Sequence, residues 1–380
     1  MINHLLTVSV LMALTVPAYA GITVYVEGAK KIEIGGRLQL QYHSEDPDEG
    51  DGEDELFFRR LRPYILGSVT ENWDGKIQFD LGKSTEDNEV AVKDAWMRYK
   101  GDQLTIKIGN FKPYFSREFL TSSKRQQLVE RTFSGDHNYG SPDRALGVGL
   151  EGKSDSKKLT WGAFLGQAAI DPDATKLDFD SPVNSRIDFN EGWLTSGRVD
   201  FHPLGELKME QGDFAGGRKF TIGVAAYSWS NDDDNNTRTV NGMSIGGKKP
   251  DVDSATGLEV SAGFRANGFS ADAELQSITA DTIDGSFSGG IFEAGTTDLT
   301  VLSLEGGYMV KPKMAEVVAG FESIDADGYQ TAWNRTSMGF NYFWNKHKVK
   351  IQATYRIGED LNGVEGADTN ETFVQFQFVF

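Results

Sequence analysis

The chain has 380 residues, with 38 lysines and arginines against 56 aspartates and glutamates and a formal net charge of -18. The absence of cysteine excludes disulfides, thiolate metal sites and cysteine nucleophiles, and the acidic balance argues against nucleic acid as a partner. A content of 43 glycines and 10 prolines suits a turn-rich β protein.

The first twenty residues have the features of a secretory signal peptide. An apolar run from Leu5 to Val16 precedes the sequence Ala-Tyr-Ala at 18–20, which is a small-x-small cleavage signal. His4 is the only candidate cation before this run, so a retained anchor is the alternative. No later stretch contains about 18 successive apolar residues, so a membrane location of residues 21–380 requires a closed barrel of strands.

Polar and apolar residues alternate along most of residues 21–380, which indicates strands with one apolar and one wet face. Between residues 31 and 42 the even positions are mostly apolar and the odd positions mostly polar. Residues 374–378 alternate Val or Phe with Gln, and the chain ends in Phe380. Sixteen strands are predicted, at about 31–43, 56–70, 75–84, 90–100, 103–112, 144–152, 158–167, 193–203, 218–230, 256–266, 268–280, 299–311, 314–324, 334–344, 348–358 and 370–380.

The predicted connections are mostly short turns on one rim and long polar loops on the other. Asn267-Gly268 is typical of the short turns, and residues 231–255 of the long loops. This arrangement is that of a transmembrane β-barrel, here a single domain over residues 21–380, and sixteen strands enclose an aqueous channel. The alternative is a soluble β-sandwich, in which the apolar face packs against a core.

Two strings resemble enzyme motifs but lie in the wrong context. Residues 147–152 match a dinucleotide fingerprint within a predicted strand, and residues 242–246 match a nucleophile elbow within a polar loop. The five histidines have no metal-ligand spacing. We therefore predict no enzyme, no cofactor and no metal site. The acidic run at 45–55 is interpreted as a solvated external loop, with loose divalent-cation binding as the alternative.

The stretch 110–135 reverses the charge of the chain. It has five cations against Glu118 and Glu130, a local net charge of +3. The five are Lys112, Arg117, Lys124, Arg125 and Arg131. Further cations share the inward parity of the predicted strands, namely Arg37, Arg60, Arg62, Arg98, Lys107, Arg198 and Arg265.

Cations that line a pore select anions, and the planar guanidinium of arginine matches phosphate oxygens. Carboxylates also have the inward parity, among them Asp80, Asp94, Asp200, Asp272, Glu274 and Glu305. The alternative is therefore a weakly selective pore in which wall carboxylates neutralise the cations.

Several blocks resemble, in order and spacing, the phosphate- and polyphosphate-selective porins (porin O and P type) of Gram-negative outer membranes. The blocks are Phe58–Arg62, Val92–Trp96 with Arg98-Tyr99, Ile108–Pro113, Leu120–Lys124, Glu130-Arg131 and Arg144–Gly149. The similarity is strongest over about 56–152 and looser towards the C-terminus.

This resemblance implies a homotrimeric sixteen-stranded outer-membrane barrel whose third external loop, here about 112–144, folds inward. It implies that phosphate or a related anion is held by a loop Ser and Lys, a following Arg and a wall Asp. The matching residues are Ser123, Lys124, Arg131 and Asp94, with Arg59 and Arg60 from the paired-arginine block. Strand parity places Arg59 on the lipid side unless a bulge near Pro63 reverses it.

The resemblance thus favours passive diffusion of phosphate or polyphosphate, with outer-membrane lipid and lipopolysaccharide as surroundings. A general porin with little selectivity is one alternative. A surface protein whose acidic loops bind divalent cations or partners is the other.

Overall fold

A computed structural model of the protein describes residues 21–82, 90–171, 175–184, 191–231, 239–240, 243–244 and 251–380. The predicted signal peptide at 1–20 and most of the string at 242–246 lie outside these residues. The string at 147–152 lies inside a strand, as predicted. Within the described ranges, no helix has the length and apolar character needed to cross a membrane.

The described chain is almost entirely β-structure. The strands are β1 (Ile22–Glu27), β2 (Lys30–Gly35), β3 (Arg37–Pro47), β4 (Glu53–Leu61), β5 (Tyr64–Ser68), β6 (Trp73–Asp80), β7 (Ala91–Lys100), β8 (Leu104–Phe111), β9 (Ala145–Lys153), β10 (Leu159–Asp171), β11 (Asp178–Asp180), β12 (Glu191–Phe201), β13 (Lys219–Asn231), β14 (Thr239–Val240), β15 (Met243–Ser244), β16 (Val252–Ala266), β17 (Phe269–Thr282), β18 (Thr296–Lys311), β19 (Ala315–Ala326), β20 (Trp333–Asn345), β21 (Val349–Glu359) and β22 (Thr369–Val379). One α-helical turn, α1 (Arg117–Leu120), and the 3₁₀ turns Ser123–Arg125, Phe133–Gly135 and Leu361–Gly363 complete the elements.

Twenty of these strands form one antiparallel sheet, in which most neighbours in space are also neighbours in sequence. Only Gly36 separates β2 from β3, and only Arg62 and Pro63 separate β4 from β5. The last strand, β22, pairs with β3 near the start of the chain. Each predicted strand coincides with one or two observed strands, whereas β1, β11, β14 and β15 were not predicted.

The short turns have the backbone that their residues favour. Asn267 and Gly268 join β16 to β17 with φ angles of 51° and 90°. Both residues lie in the left-handed region, which is the geometry of a tight hairpin turn and is accessible to Asn and Gly. The short connections therefore keep successive strands in direct antiparallel register.

Along the strands the polar side chains are buried and the apolar side chains are exposed, which is the reverse of a soluble sheet. On β22, Phe376 and Phe378 are 44% and 38% exposed, whereas Gln375 and Gln377 are fully buried. Exposed large apolar side chains recur on this outward parity throughout the sheet. A soluble sandwich would bury that face, so the pattern indicates an outer surface in contact with lipid.

The long strands of the second half exchange this pattern near their loop ends. On the outward face of β17, Leu275 belongs to the apolar surface, whereas Thr279 is polar. On the inward face, Glu274 is followed by the fully buried Ile278. The strands therefore extend beyond the apolar belt and enclose an apolar core at their outer ends. Its members include Phe133, Tyr139, Phe179, Trp229, Phe292 and Trp333.

Candidate functional site

A cavity of about 1430 Å³ lies between the segment 112–144 and the inner face of β3 to β9, and residues of β20 to β22 also line it. Fifteen lysines and arginines line it against eight aspartates and glutamates, counted over the described residues. The cations are Arg37, Arg59, Arg60, Arg62, Lys76, Lys93, Arg98, Lys107, Lys112, Lys124, Arg125, Arg131, Arg144, Arg335 and Arg356. A protein with a net charge of -18 thus has a cavity with a net positive lining.

Two β-bulges direct additional cations into this cavity. Relative to β3, strand β4 contains one extra residue at Arg59, and relative to β6, strand β7 contains one extra residue at Lys93. A bulge reorients the side chains beside it, so two consecutive residues reach the same side of the sheet. The reversal expected near Pro63 therefore occurs at Arg59 itself, and both Arg59 and Arg60 line the cavity.

Both arginines meet Glu130 of the segment 112–144. Arg59 donates Nε to Glu130 Oε1 at 2.8 Å and Nη2 to Glu130 Oε2 at 3.3 Å. Arg60 Nη2 lies 3.6 Å from Glu130 Oε2. Burial alone would raise the pKa of Glu130, but the charges of Arg59 and Arg60 outweigh it and hold the pKa well below its usual range. The carboxylate is therefore ionised and occupies the space between the two guanidinium groups.

Ser123 and Lys124 line the same cavity, beside Arg37. Arg37 Nη1 donates to Ser123 Oγ at 2.8 Å, which leaves the hydroxyl proton of Ser123 available to an anion. The Lys124 ammonium has no hydrogen bond or ion pair within the part of the chain that is described. Burial, followed by the charges of Arg37 and Arg125, lowers the pKa of Lys124 to about 8.

Arg131 is held by backbone carbonyl groups and not by a carboxylate. Its Nη2 donates to Thr121 O at 2.9 Å and to Phe119 O at 3.3 Å, and its guanidinium lies 5.1 Å from the Phe119 ring centroid. Lys112 also donates to Phe119 O. Burial lowers the pKa of Arg131 to about 10, so the side chain stays charged at neutral pH. Neither side chain has a carboxylate within 4 Å among the described residues, so the charge of Arg131 is not offset by a direct ion pair.

Apart from Arg125, the other cations of the cavity pair with carboxylates. Asp94 accepts from Lys76 at 2.6 Å and from Arg144 Nε at 2.8 Å. Three predicted ladder residues have one acidic partner each, namely Arg62 with Asp80, Arg98 with Asp74 and Lys107 with Glu151. Pairing therefore neutralises part of the lining, whereas Arg37, Lys112, Lys124, Arg125 and Arg131 have no carboxylate within 4 Å in the described chain.

Arg198 and Arg265, the remaining predicted ladder residues, do not line the cavity. Arg198 contacts Asp200 and Glu259 at 2.8 Å, and Arg265 contacts Asp272 at 2.6 Å. Both lie on the opposite inner wall, where charge pairs are buried. Asp200 and Asp272 therefore do not pair with cations of the cavity lining, whereas the inward carboxylates Asp80 and Asp94 do.

The segment 112–144 covers the acidic wall. Three of its backbone N–H groups donate to buried wall carboxylates, from Arg117 to Glu259 at 3.2 Å, from Glu118 to Glu274 at 2.8 Å and from Phe133 to Glu322 at 2.6 Å. Elsewhere on the wall, Lys350 donates to the carbonyl oxygen of Gln126 at 2.8 Å. Asp272, Glu274 and Glu305 are thus separated from the basic cavity.

Several lining residues escaped the sequence prediction. Arg144 and Lys76 meet at Asp94, and Arg335 lies 4.2 Å from the ring centroids of both Phe133 and Trp333. Strand parity gave a signal for Lys76. Arg144 begins the predicted strand 144–152 and shares the parity of the apolar Leu146 and Val148, so parity did not assign it to the channel. In the structure it lies just before β9. The described residues contain no group of side chains arranged to hold a metal ion.

The fold and the basic cavity define a porin-like protein of the outer membrane. The sequence profile described as phosphate-selective porin O and P matches residues 32–380, and the chain belongs to this family. This membership confirms the predicted Gram-negative outer-membrane location and the prediction that the chain is not an enzyme.

Two curated relatives match parts of the chain. Porin O of Pseudomonas aeruginosa is 30% identical over 154 residues, which cover 39% of this chain and 34% of that protein. An uncharacterized protein of Caulobacter vibrioides is 26% identical over 191 residues, which cover 50% of this chain and 37% of that protein. The chain thus spans about a third of the length of the curated relatives it matches.

Solved structures share the fold. An anion-selective porin from Comamonas acidovorans has a TM-score of 0.59 at 11% identity, over 92% of this chain and 100% of that one. OmpT of Vibrio cholerae, in a trimer form, has a TM-score of 0.57 at 16% identity, over 93% of this chain and 100% of that one. The outer membrane channel DcaP of Acinetobacter baumannii has a TM-score of 0.59 at 14% identity, over 95% of this chain and 100% of that one.

Proposed function

We propose that the protein is an outer-membrane porin through which anions, with inorganic phosphate or polyphosphate as the main substrates, diffuse passively. The observation that carries this proposal is the net positive lining of the cavity, fifteen basic against eight acidic side chains. Each such cation offsets part of the dehydration cost of an anion, and several weak sites in series permit release. Arg37, Ser123, Lys124 and Arg131 form the proposed anion contact.

The architecture that we propose around this site is a closed barrel of sixteen strands. Its support is the pairing of β22 with β3, together with the narrow breaks that divide β2 from β3 and β4 from β5. Counting each interrupted pair as one wall strand, and leaving out β1, β11, β14 and β15, gives sixteen. The segment 112–144 is the proposed constriction loop.

We further propose that three copies assemble in the membrane. The support is the family resemblance and the trimer form of the OmpT fold relative. The polar outward residues beyond the apolar belt, such as Thr279, would lie at the level of the lipopolysaccharide headgroups.

Planar-bilayer recordings test the proposed function. The reversal potential in a potassium chloride gradient should indicate chloride preference, and millimolar phosphate should block the chloride current. Lys124→Ala should weaken the block by about tenfold or more, because a charge-assisted hydrogen bond contributes about 1.5–3 kcal/mol. Lys158→Ala, which removes a charge that does not line the cavity, is the matched control.

A pore that prefers potassium, or a chloride current that phosphate leaves unchanged, would refute the proposal. Equal phosphate block in Lys124→Ala and in the unaltered protein would remove Lys124 from the anion contact. Retained heat-modifiable mobility on gels shows that each variant is folded, so that a loss of block reports on the site.

A further inference from the structure

Glu130 is the one acidic side chain in the described residues that contacts both bulge-associated arginines. Its two oxygens meet the Arg59 guanidinium side-on at 2.8 and 3.3 Å. Parallel N–H···O bonds of this kind are the geometry in which arginine binds carboxylate and phosphate alike. The space that the Glu130 carboxylate occupies is therefore one in which an oxyanion fits.

The remaining contacts show why a permeating anion can take the place of this carboxylate. The Glu130 side chain is 16% exposed and lines the cavity, and Arg60 contributes a weaker contact at 3.6 Å. Among the described residues, the other hydrogen bond of Arg60 is the one that it donates to Gln39, at 3.3 Å. A permeating oxyanion thus meets two guanidinium groups whose positive charge is already partly neutralised by the Glu130 carboxylate.

We propose that Glu130 acts as a built-in counter-anion that occupies the oxyanion position between Arg59 and Arg60 and thereby limits how tightly the channel retains its substrate. The inference rests on the proposed anion-channel function. A channel must bind its ion strongly enough to dehydrate it and weakly enough to release it. Two adjacent guanidinium groups without a counter-charge would form a deep trap for a phosphate ion.

The perturbation is Glu130→Gln, which removes the charge and keeps the size of the side chain. Inorganic phosphate should then block the chloride current at about fivefold lower concentration, because one competing charge near the site is lost. Single-channel blocks should also last longer, since the release of phosphate slows. The zero-phosphate chloride conductance should not fall.

Two controls separate this role from a general charge effect and from support of the segment 112–144. Glu151→Gln removes another cavity carboxylate, which pairs with Lys107 at 2.7 Å and does not contact Arg59 or Arg60. Glu130→Asp retains the charge on a shorter side chain. We expect a smaller change of block in Glu151→Gln and a block close to that of the unaltered protein in Glu130→Asp.

A second comparison uses the background in which Arg59 and Arg60 are both glutamine. There, Glu130→Gln should leave the phosphate block unchanged, because the groups that the carboxylate neutralises are absent. The inference is overturned if Glu130→Gln weakens the block or leaves it unchanged, or if Glu130→Asp behaves like Glu130→Gln. A phosphate-insensitive unaltered channel refutes the proposed function itself, whereas a sensitive channel with an inert Glu130→Gln refutes only this inference.

Discussion

The ammonium of Lys124 is predicted to make anion selectivity depend on pH in the mildly alkaline range. Its pKa is lowered to about 8, first by burial and then by the neighbouring charges of Arg37 and Arg125. The protonated form predominates below that value and the neutral form above it. Anion preference should therefore be complete near pH 7 and fall as the pH rises through 8.

The size of the effect follows from the lining charges. A group with a pKa of about 8 is about nine-tenths protonated at pH 7 and about one-tenth protonated at pH 9. A unit charge about 4 Å from an ion in water contributes about 1 kcal/mol, which corresponds to about a fivefold change in relative permeability. We expect a two- to fivefold fall in chloride over potassium permeability, by this estimate.

Reversal potentials between pH 6.5 and 9.5 measure this ratio. Chloride is the appropriate probe because its charge does not change over the range, unlike that of phosphate. The Lys124→Arg variant should remain charged over this range, since the ordinary pKa of guanidinium lies far above that of the lysine ammonium. It should remove the lysine-dependent step, whereas Lys124→Gln should show low chloride preference at every pH.

His137 titrates in the same window and must be distinguished. Burial alone would lower the pKa of His137, but its hydrogen bond to Asp178 at 2.7 Å and the charge of that carboxylate raise the pKa to about 9. The effect of His137 on chloride preference persists in Lys124→Arg. The difference between the pH profiles of the unaltered protein and this variant therefore reports on Lys124 alone. Superimposable pH profiles of the unaltered protein and Lys124→Arg would refute the assignment of the step to Lys124.

Two further predictions concern stability. Arg198→Ala should lower the free energy of unfolding by about 3–5 kcal/mol, because it leaves the buried carboxylates of Asp200 and Glu259 without their cation. Urea titration measures this loss, and a large change in chloride preference would contradict the covered position of the wall. On the outward face of β17, Leu275→Lys should destabilise the protein by about 2–4 kcal/mol and Thr279→Lys by at most about 1 kcal/mol, since only Leu275 lies within the apolar belt. Refolding into liposomes measures both losses of stability. Equal losses for the two variants would place the membrane boundary elsewhere.

Much of the strand pattern was predictable because lipid and water impose opposite polarity on successive residues. The exchange of the apolar residues from the outward to the inward face along β17 was not predictable, since Gln276 and Ser277 interrupt the alternation for a single step. The strand looks continuous in sequence even though its outer end encloses an apolar core. The bulge in β4 did leave a signal, because the paired residue types in Phe57-Phe58-Arg59-Arg60 break strict alternation.

The local charge reversal at 110–135 identified the segment that lines the cavity, including Ser123, Lys124 and Arg131. Its position relative to the wall depends on contacts between residues far apart in sequence, such as Glu118 with Glu274 and Phe133 with Glu322. Alternation assigns such carboxylates to the inward face and cannot separate the covered wall from the open one. The sequence alone therefore could not show that Asp94 pairs with cations of the lining whereas Glu274 lies on the covered wall.

The amide groups that cap the acidic wall give the segment 112–144 an electrostatic role beyond narrowing the passage. The basic cavity and the acidic wall lie on different sides of this segment, and its backbone N–H groups satisfy wall carboxylates that would otherwise attract cations. The sign of ion preference therefore depends on where one segment rests. Related channels with the same wall residues but a displaced or shortened segment would admit cations, so selectivity in such a fold can reverse without any change in the charged residues of the strands.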